Sequence, residues 1–254
     1  MTTLTQSMTV GEVALAVHQL PAGAASLQFG AGAPVSLDEG LRLRSVGDCS
    51  SGGACLAVGT AQYAETGSDP YVSWGRWTNG SIAVGGTSPN TPLSSNQGVH
   101  YLVGVPSVTM PTSGTFSYSL IGATSPTASD GSMAPGSFRA NATVHFAPAS
   151  QTRIGLEAQV TMATGQYKFS TPGGLGNTSR SGMPMDGATT FSGQLQTQRN
   201  AGSGNFDCGS SGCQVNVTGG FFGPEAARMG LGYSILDPGA AGRTISGVGV
   251  LENK

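Results

Sequence analysis

An all-β chain is what this sequence predicts: an eight-stranded antiparallel up-and-down barrel preceded by a small N-terminal β region. Three observations point there. Glycine supplies 41 of the 254 residues and proline 14, too many breakers for long helices. From about residue 99 onward, runs of strand length follow one another, separated by clusters of Gly, Pro, Ser and Asn. Several of these runs alternate apolar with polar residues, the mark of a sheet with one buried face. Closing such a sheet on itself removes both exposed edges, and eight strands leave an interior that side chains just fill. A β-sandwich is the runner-up.

Residues 1–98 read as the small β region with a linker, and 99–254 as the barrel. The densely apolar stretch 10–20 fits a strand or a helix. Strand-like pieces follow at 26–30, 41–46, 54–63, 71–76 and 81–84, and 85–98 reads as a loop or linker. In the barrel, 115–121 puts Phe116, Tyr118 and Leu120 on one face. Residues 138–146 do the same with Phe138, Ala140, Ala142, Val144 and Phe146. The remaining strands are 153–162, 166–170, 188–196, 214–222, 229–236 and 244–251. Pro224 stands where a helix begins well, so 224–229 reads as a short helical piece. The glycine-rich loop 170–187 is either a contact site or a tolerated insertion.

Charge is scarce. Only 9% of residues are charged, the formal net charge is −2, and the two lysines are Lys168 and Lys254. That leaves no basic field for nucleic acid and no polybasic patch for a membrane surface. No apolar run approaches the roughly 18 residues of a transmembrane segment. Nucleophile elbows, phosphate loops and zinc-protease motifs are absent, and the 13 carboxylates are spread thinly beside turn residues. The expectation is a protein that is not an enzyme and holds no metal.

The four cysteines form two close pairs, Cys49 with Cys55 and Cys208 with Cys213, each bracketing a Gly/Ser stretch that turns easily. Disulfides are the leading reading, ahead of free thiols or a metal site. Loops this short contribute about 2 kcal/mol each, so they pin hairpin tips more than they hold a fold. Disulfides imply an oxidising compartment. Residues 1–6 lack the charged start of a signal peptide, and the expectation is a chain excised from a longer exported precursor.

Candidate ligand-binding residues are few. Trp74 and Trp77 flank Gly75-Arg76 and fall on opposite faces of a regular strand, or on one side if Gly75 makes a bulge. Exposed together with Arg76 and Tyr101, they would form an aromatic–Arg hot spot; packed between the two regions, they are ordinary core. His100 beside Tyr101 carries the haem alternative, since an imidazole or phenolate in an apolar slot ligates iron.

The segment Val217-Thr-Gly-Gly-Phe-Phe-Gly-Pro-Glu-Ala-Ala-Arg-Met-Gly-Leu-Gly232 resembles the last hairpin of a transferrin-binding-protein-B-like β-barrel. Gly247-Val-Gly-Val-Leu251 is similar to its closing strand. The resemblance covers about residues 100–254 and departs at Arg228-Met229, where members often carry an acidic residue and Leu. Trp74-Gly-Arg-Trp77, His100-Tyr101 and residues 118–124 also look like an uncharacterised region of exported proteobacterial proteins, some with FecR-type domains. The resemblance implies a non-catalytic, outer-membrane-associated or secreted binding module that engages a protein partner or iron-bearing ligand through barrel loops. Related barrels include secreted haem carriers, which keeps haem as an alternative cofactor. A self-assembling envelope or filament subunit is the third reading, because few charges oppose self-association.

Overall fold

A computed structural model describes residues 2–18, 29–49, 54–85, 90–148, 151–163, 165–176, 181–198, 212–237 and 243–254. The N-terminal part is a sandwich of two antiparallel sheets. One runs in the order β1 (Ser7–Thr9), β3 (Pro34–Leu37), β4 (Leu43–Gly47), β5 (Cys55–Ala57), β8 (Gly80–Val84) and β9 (Thr91–Leu93). The other runs β2 (Ala14–His18), β10 (Val99–Gly104), β7 (Val72–Thr78) and β6 (Gln62–Ser68). Val35, Leu43, Val46, Leu56 and Ile82 of the first sheet meet Trp77, Val99, Tyr101 and Val103 of the second in one core.

The remainder closes into the expected barrel. Its strands are β11 (Gly114–Ala123), β13 (Ser137–Phe146), β14 (Arg153–Met162), β15 (Gly165–Ser170), β17 (Thr190–Gln198), β18 (Gln214–Phe222), β19 (Arg228–Asp237) and β20 (Arg243–Asn253). Each pairs antiparallel with the next, and β20 returns to pair with β11. Two short strands attach to this wall, β12 (Thr127–Ala128) on β20 and β16 (Met183–Pro184) on β14. Alternation decides what faces in. Phe138, Ala140, Ala142, Val144 and Phe146 are buried inside, while Ser137, Arg139, Asn141 and His145 are exposed outside. At the centre the Phe138 and Tyr233 rings stack 4.5 Å apart. A Cβ on Gly249 would come within 2.7 Å of the Phe138 ring, so the Gly-x-Gly of the closing strand makes room for this stack. An apolar inside and a polar outside invert the arrangement of a membrane-spanning barrel.

Four expectations are corrected. Residues 99–104 are a strand of the sandwich, and the barrel begins at Gly114, so the boundary falls after β10 rather than at residue 98. Within 85–98 lies β9. The strand expected at 54–63 is broken into β5 and β6 by a turn in which Gly59 has φ +56°. The piece at 224–229 makes only a single turn over Pro224–Ala226, with Glu225 at φ +50°. Of the ambiguous stretch 10–20, residues 14–18 are strand β2; residues 19–20, and 26–28 of the piece expected at 26–30, lie outside the described residues.

The two parts share a wall. Val72 and Leu102 on the second face of the four-stranded sheet pack on Phe222, Val248 and Val250 of the barrel's outside. Strand β10 is therefore buried along its whole length.

Candidate binding surface

Strand β7 runs without a break along β10, Val72 to Trp77 opposite Gly104 to Val99. Gly75 makes no bulge, so Trp74 and Trp77 point to opposite faces. Trp77 is fully buried in the sandwich core, where its Nε1 donates to the Leu43 carbonyl at 3.1 Å and its ring lies 5.8 Å from Tyr101. Gly75 is needed beneath Tyr101, because a Cβ there would come within 2.7 Å of the phenol ring. Half-buried Trp74 points the other way, wedged between Gly67 of β6 and Gly122 of β11, where a Cβ on either would overlap the indole.

Arg76 is only 4% exposed and is held by Glu65 in a two-pronged ion pair, at 2.7 Å and 2.8 Å, with a further bond to the Gln97 carbonyl. Burial pushes the Glu65 carboxyl up, but Arg76 and Ser125 outweigh it and hold it below the ordinary carboxylate range. The expected aromatic–Arg hot spot is corrected accordingly. Trp77, Arg76 and Tyr101 are buried within the sandwich, and of the four only the half-buried Trp74 reaches the barrel, so they are not exposed together.

His100 and Tyr101 also diverge, one to each face of β10. His100 is fully buried, with Nδ1 and Nε2 each 2.8 Å from a hydroxyl, those of Thr124 and Thr127. Thr124 in turn accepts the Val248 amide at 3.0 Å, which ties the sandwich to β20. Tyr101 lies in the sandwich core, and burial pushes its phenol well up. Both imidazole nitrogens are engaged and the phenol lies on the opposite face, so the two do not converge on a common iron position. Among the described residues no three His, Cys, Asp or Glu side chains group as metal ligands, and no helix is long and apolar enough to cross a membrane. Cys49 and Cys55 form the expected disulfide, with Cα atoms 5.0 Å apart. The second expected pair, Cys208–Cys213, includes a residue outside those described.

A different surface emerges at one end of the barrel. There β11 and β17 begin and β13 and β18 end, which gathers segments 105–113, 147–148, 151–152, 181–189 and 223–227. Val108 stands 88% exposed on the first of these. Two hollows flank Met110-Pro111-Thr112 beside it. One, about 440 Å³, is walled by Phe146, Pro148 and Met185; the other, about 550 Å³, by Phe116, Pro224 and Glu225. Exposed Asp186 and Glu225 put one carboxylate at the rim of each.

The turn behind the second hollow is strained and firmly held. Gly223, Glu225 and Ala226 all have positive φ, at +71°, +50° and +57°. From inside the barrel the buried Tyr118 hydroxyl donates to the Ala226 carbonyl at 2.8 Å. Arg228 braces the same corner through Asp69 at 2.6 Å and Glu252 at 3.0 Å. Sequence reasoning missed Val108 and Met110. Their only signal is a pair of large apolar residues in a stretch with no alternation.

No protein-family model matches the chain, and no curated protein does. Solved structures do. The vaccine antigen transferrin-binding protein B of Haemophilus parasuis aligns at 16% identity and a TM-score of 0.48, covering 95% of this chain and 44% of that one. The isotype 1 protein from serogroup B Neisseria meningitidis aligns at 13% and 0.47, covering 96% and 44%. An intact protein with N and C lobes, Ap-TbpB, aligns at 14% and 0.45, covering 95% and 46%. All three are transferrin-binding protein B. The chain spans less than half the length of each. They are structures of the family that residues 217–232 and 247–251 resemble.

Proposed function

We propose that this chain is a non-catalytic, extracytoplasmic binding module that engages a protein partner through the barrel end around Val108 and Met110. One observation carries the reading: the large apolar side chain of Val108 is almost fully exposed two residues before Met110, which lines both hollows, on a chain with few other such exposures among its described residues. Apolar anchors seated in hollows are the usual centres of protein interfaces. Asp186 and Glu225 at the rims favour a partner whose apolar contact is flanked by Lys or Arg. The Cys49–Cys55 disulfide supports an oxidising compartment. The finer expectation, an iron-bearing protein at the bacterial cell surface, rests on the resemblance of residues 217–232 and 247–251.

Iron-loaded transferrin is the first probe, measured by surface plasmon resonance against the wild-type chain and Val108→Asp. Because Val108 is exposed, the variant is expected to fold unchanged and to lose roughly tenfold or more in affinity, about 1.4 kcal/mol. Equal binding by the two proteins moves the contact elsewhere on the molecule. No binding of transferrin by the wild type removes the iron-bearing partner from the reading.

A further inference from the structure

The hollow beside Pro224 joins apolar walls to polar groups that the fold itself leaves over. Met110 and Phe116, both half-buried, line its sides with Pro111 and Pro224, and Glu225 and Asn253 border it as well. Asn253 stands near the end of β20, opposite Tyr118 of β11. Its amide donates to the Ala227 carbonyl at 3.2 Å, but its side-chain oxygen is buried and accepts no hydrogen bond. A buried acceptor without a donor is costly and uncommon, so its presence at the wall of a hollow calls for an explanation.

Glu225 is the second such group. At φ +50° it holds a conformation that glycine adopts without strain, and a glutamate there keeps an exposed carboxylate beside the hollow. Among the described residues no ion pair holds it. Arg228, which lines the same hollow, is already matched by Asp69 and Glu252 and donates to the Ala227 carbonyl at 3.1 Å. At this corner the carboxylates of Asp69, Glu225 and Glu252 outnumber the cations Arg228 and Lys254, which leaves it net negative. The hollow on the other side of Met110 has Asp186 at its rim, but no buried acceptor without a partner lines it.

We infer that the hollow beside Pro224 seats one basic side chain of the protein partner, lysine or arginine, with its stem along Met110 and Phe116 and its charged head between Glu225 and Asn253. The inference rests on the reading of this barrel end as a protein-binding surface and names the chemistry that the surface selects. Long basic side chains lay their methylenes on apolar surface while the head stays among polar groups, and about 550 Å³ is ample for one of them. The head brings the donor that the Asn253 oxygen lacks and the opposite charge that Glu225 lacks. A neutral amide would serve Asn253 but not Glu225, and an aliphatic side chain would serve neither. A metal ion fits poorly, because no three His, Cys, Asp or Glu side chains group as ligands among the described residues.

The probe is Nα-acetyl-lysine methylamide, with its arginine and norleucine counterparts, titrated into the full chain and followed by NMR at the Met110 methyl and the Asn253 side-chain amide. The lysine or the arginine compound is expected to give saturable shifts at both groups. It is expected to bind roughly tenfold more tightly than the norleucine compound, which keeps the stem and lacks the charge. Glu225→Gln, at an exposed position and of nearly equal volume, is expected to erase that preference and leave the melting temperature unchanged. Equal binding of the norleucine compound overturns the inference, since the hollow is then simply apolar. So does the absence of saturable shifts, and so does a Glu225→Gln protein that still prefers the charged probes. The two readings fail separately. If Val108→Asp loses transferrin while Glu225→Gln keeps full affinity, the docking surface stands and the basic seat is overturned. Charge-dependent probe binding by a chain that binds no transferrin upholds the basic seat and removes transferrin as the partner.

Discussion

In the barrel, each of the eight wall strands pairs with the next wall strand along the chain, and only the closure of β11 and β12 onto β20 joins distant segments. In the sandwich, β2 pairs with β10 and β10 with β7, so the central strand of the four-stranded sheet is the last to appear in sequence. The barrel is built from local hairpins and closes all its edges. The sandwich waits for β10, leaves edges open, and has one face of its smaller sheet covered by the barrel. Local pairing costs little loop-closure entropy and distant pairing costs more, so the two halves should differ in folding order and in autonomy.

The largest test of that difference is truncation. A chain ending at residue 98 lacks β10 and is expected to show no cooperative thermal transition by circular dichroism; a sharp transition would mean the sandwich is complete without it. A smaller perturbation is His100→Ala, which removes one buried partner each from the Thr124 and Thr127 hydroxyls. The expected cost is about 1–3 kcal/mol in chemical denaturation, with sandwich and barrel melting apart rather than together. Reducing the Cys49–Cys55 disulfide is expected to cost about 2 kcal/mol, confined to the sandwich. Near-ultraviolet signals from Trp77 then change before those of the barrel tyrosines. The smallest effect is acid sensitivity at Glu65. Folding lowers its pKa, so its contribution is complete above the ordinary value of 4.5 and fades as pH falls through the lower native value. Glu65→Gln is expected to flatten that acid limb in melting curves taken against pH, and an unchanged limb would assign the acid sensitivity to other carboxylates.

What could be read in advance follows the same division. Residues 138–146 announce their inward face because one side meets core and the other water, and each barrel strand's partner is simply its neighbour in sequence. Strand β10 gives no such signal. It lies between the sandwich core and the barrel, so Val99, Tyr101 and Val103 are buried on one face and His100 and Leu102 on the other. The pairing of Trp74 with Trp77 turned on whether Gly75 bulged, and Gly75 instead keeps regular register opposite Tyr101, a residue distant in sequence. Val108 was unreadable for a related reason. Exposure of a linker residue depends on how two folded bodies hold the linker between them, which no local pattern encodes.

The stack of Phe138 on Tyr233 opposite Gly249 carries a consequence for sequence drift. Position 249 can gain a side chain only if position 138 gives up volume, so the two are expected to change in size together and in opposite directions. Gly249→Ala alone should destabilise, and Gly249→Ala with Phe138→Leu should recover part of the loss, a non-additivity that a double-mutant cycle reads directly. A compensating pair on strands far apart in the chain thus fills this part of the barrel interior, and related sequences are expected to vary the two positions together.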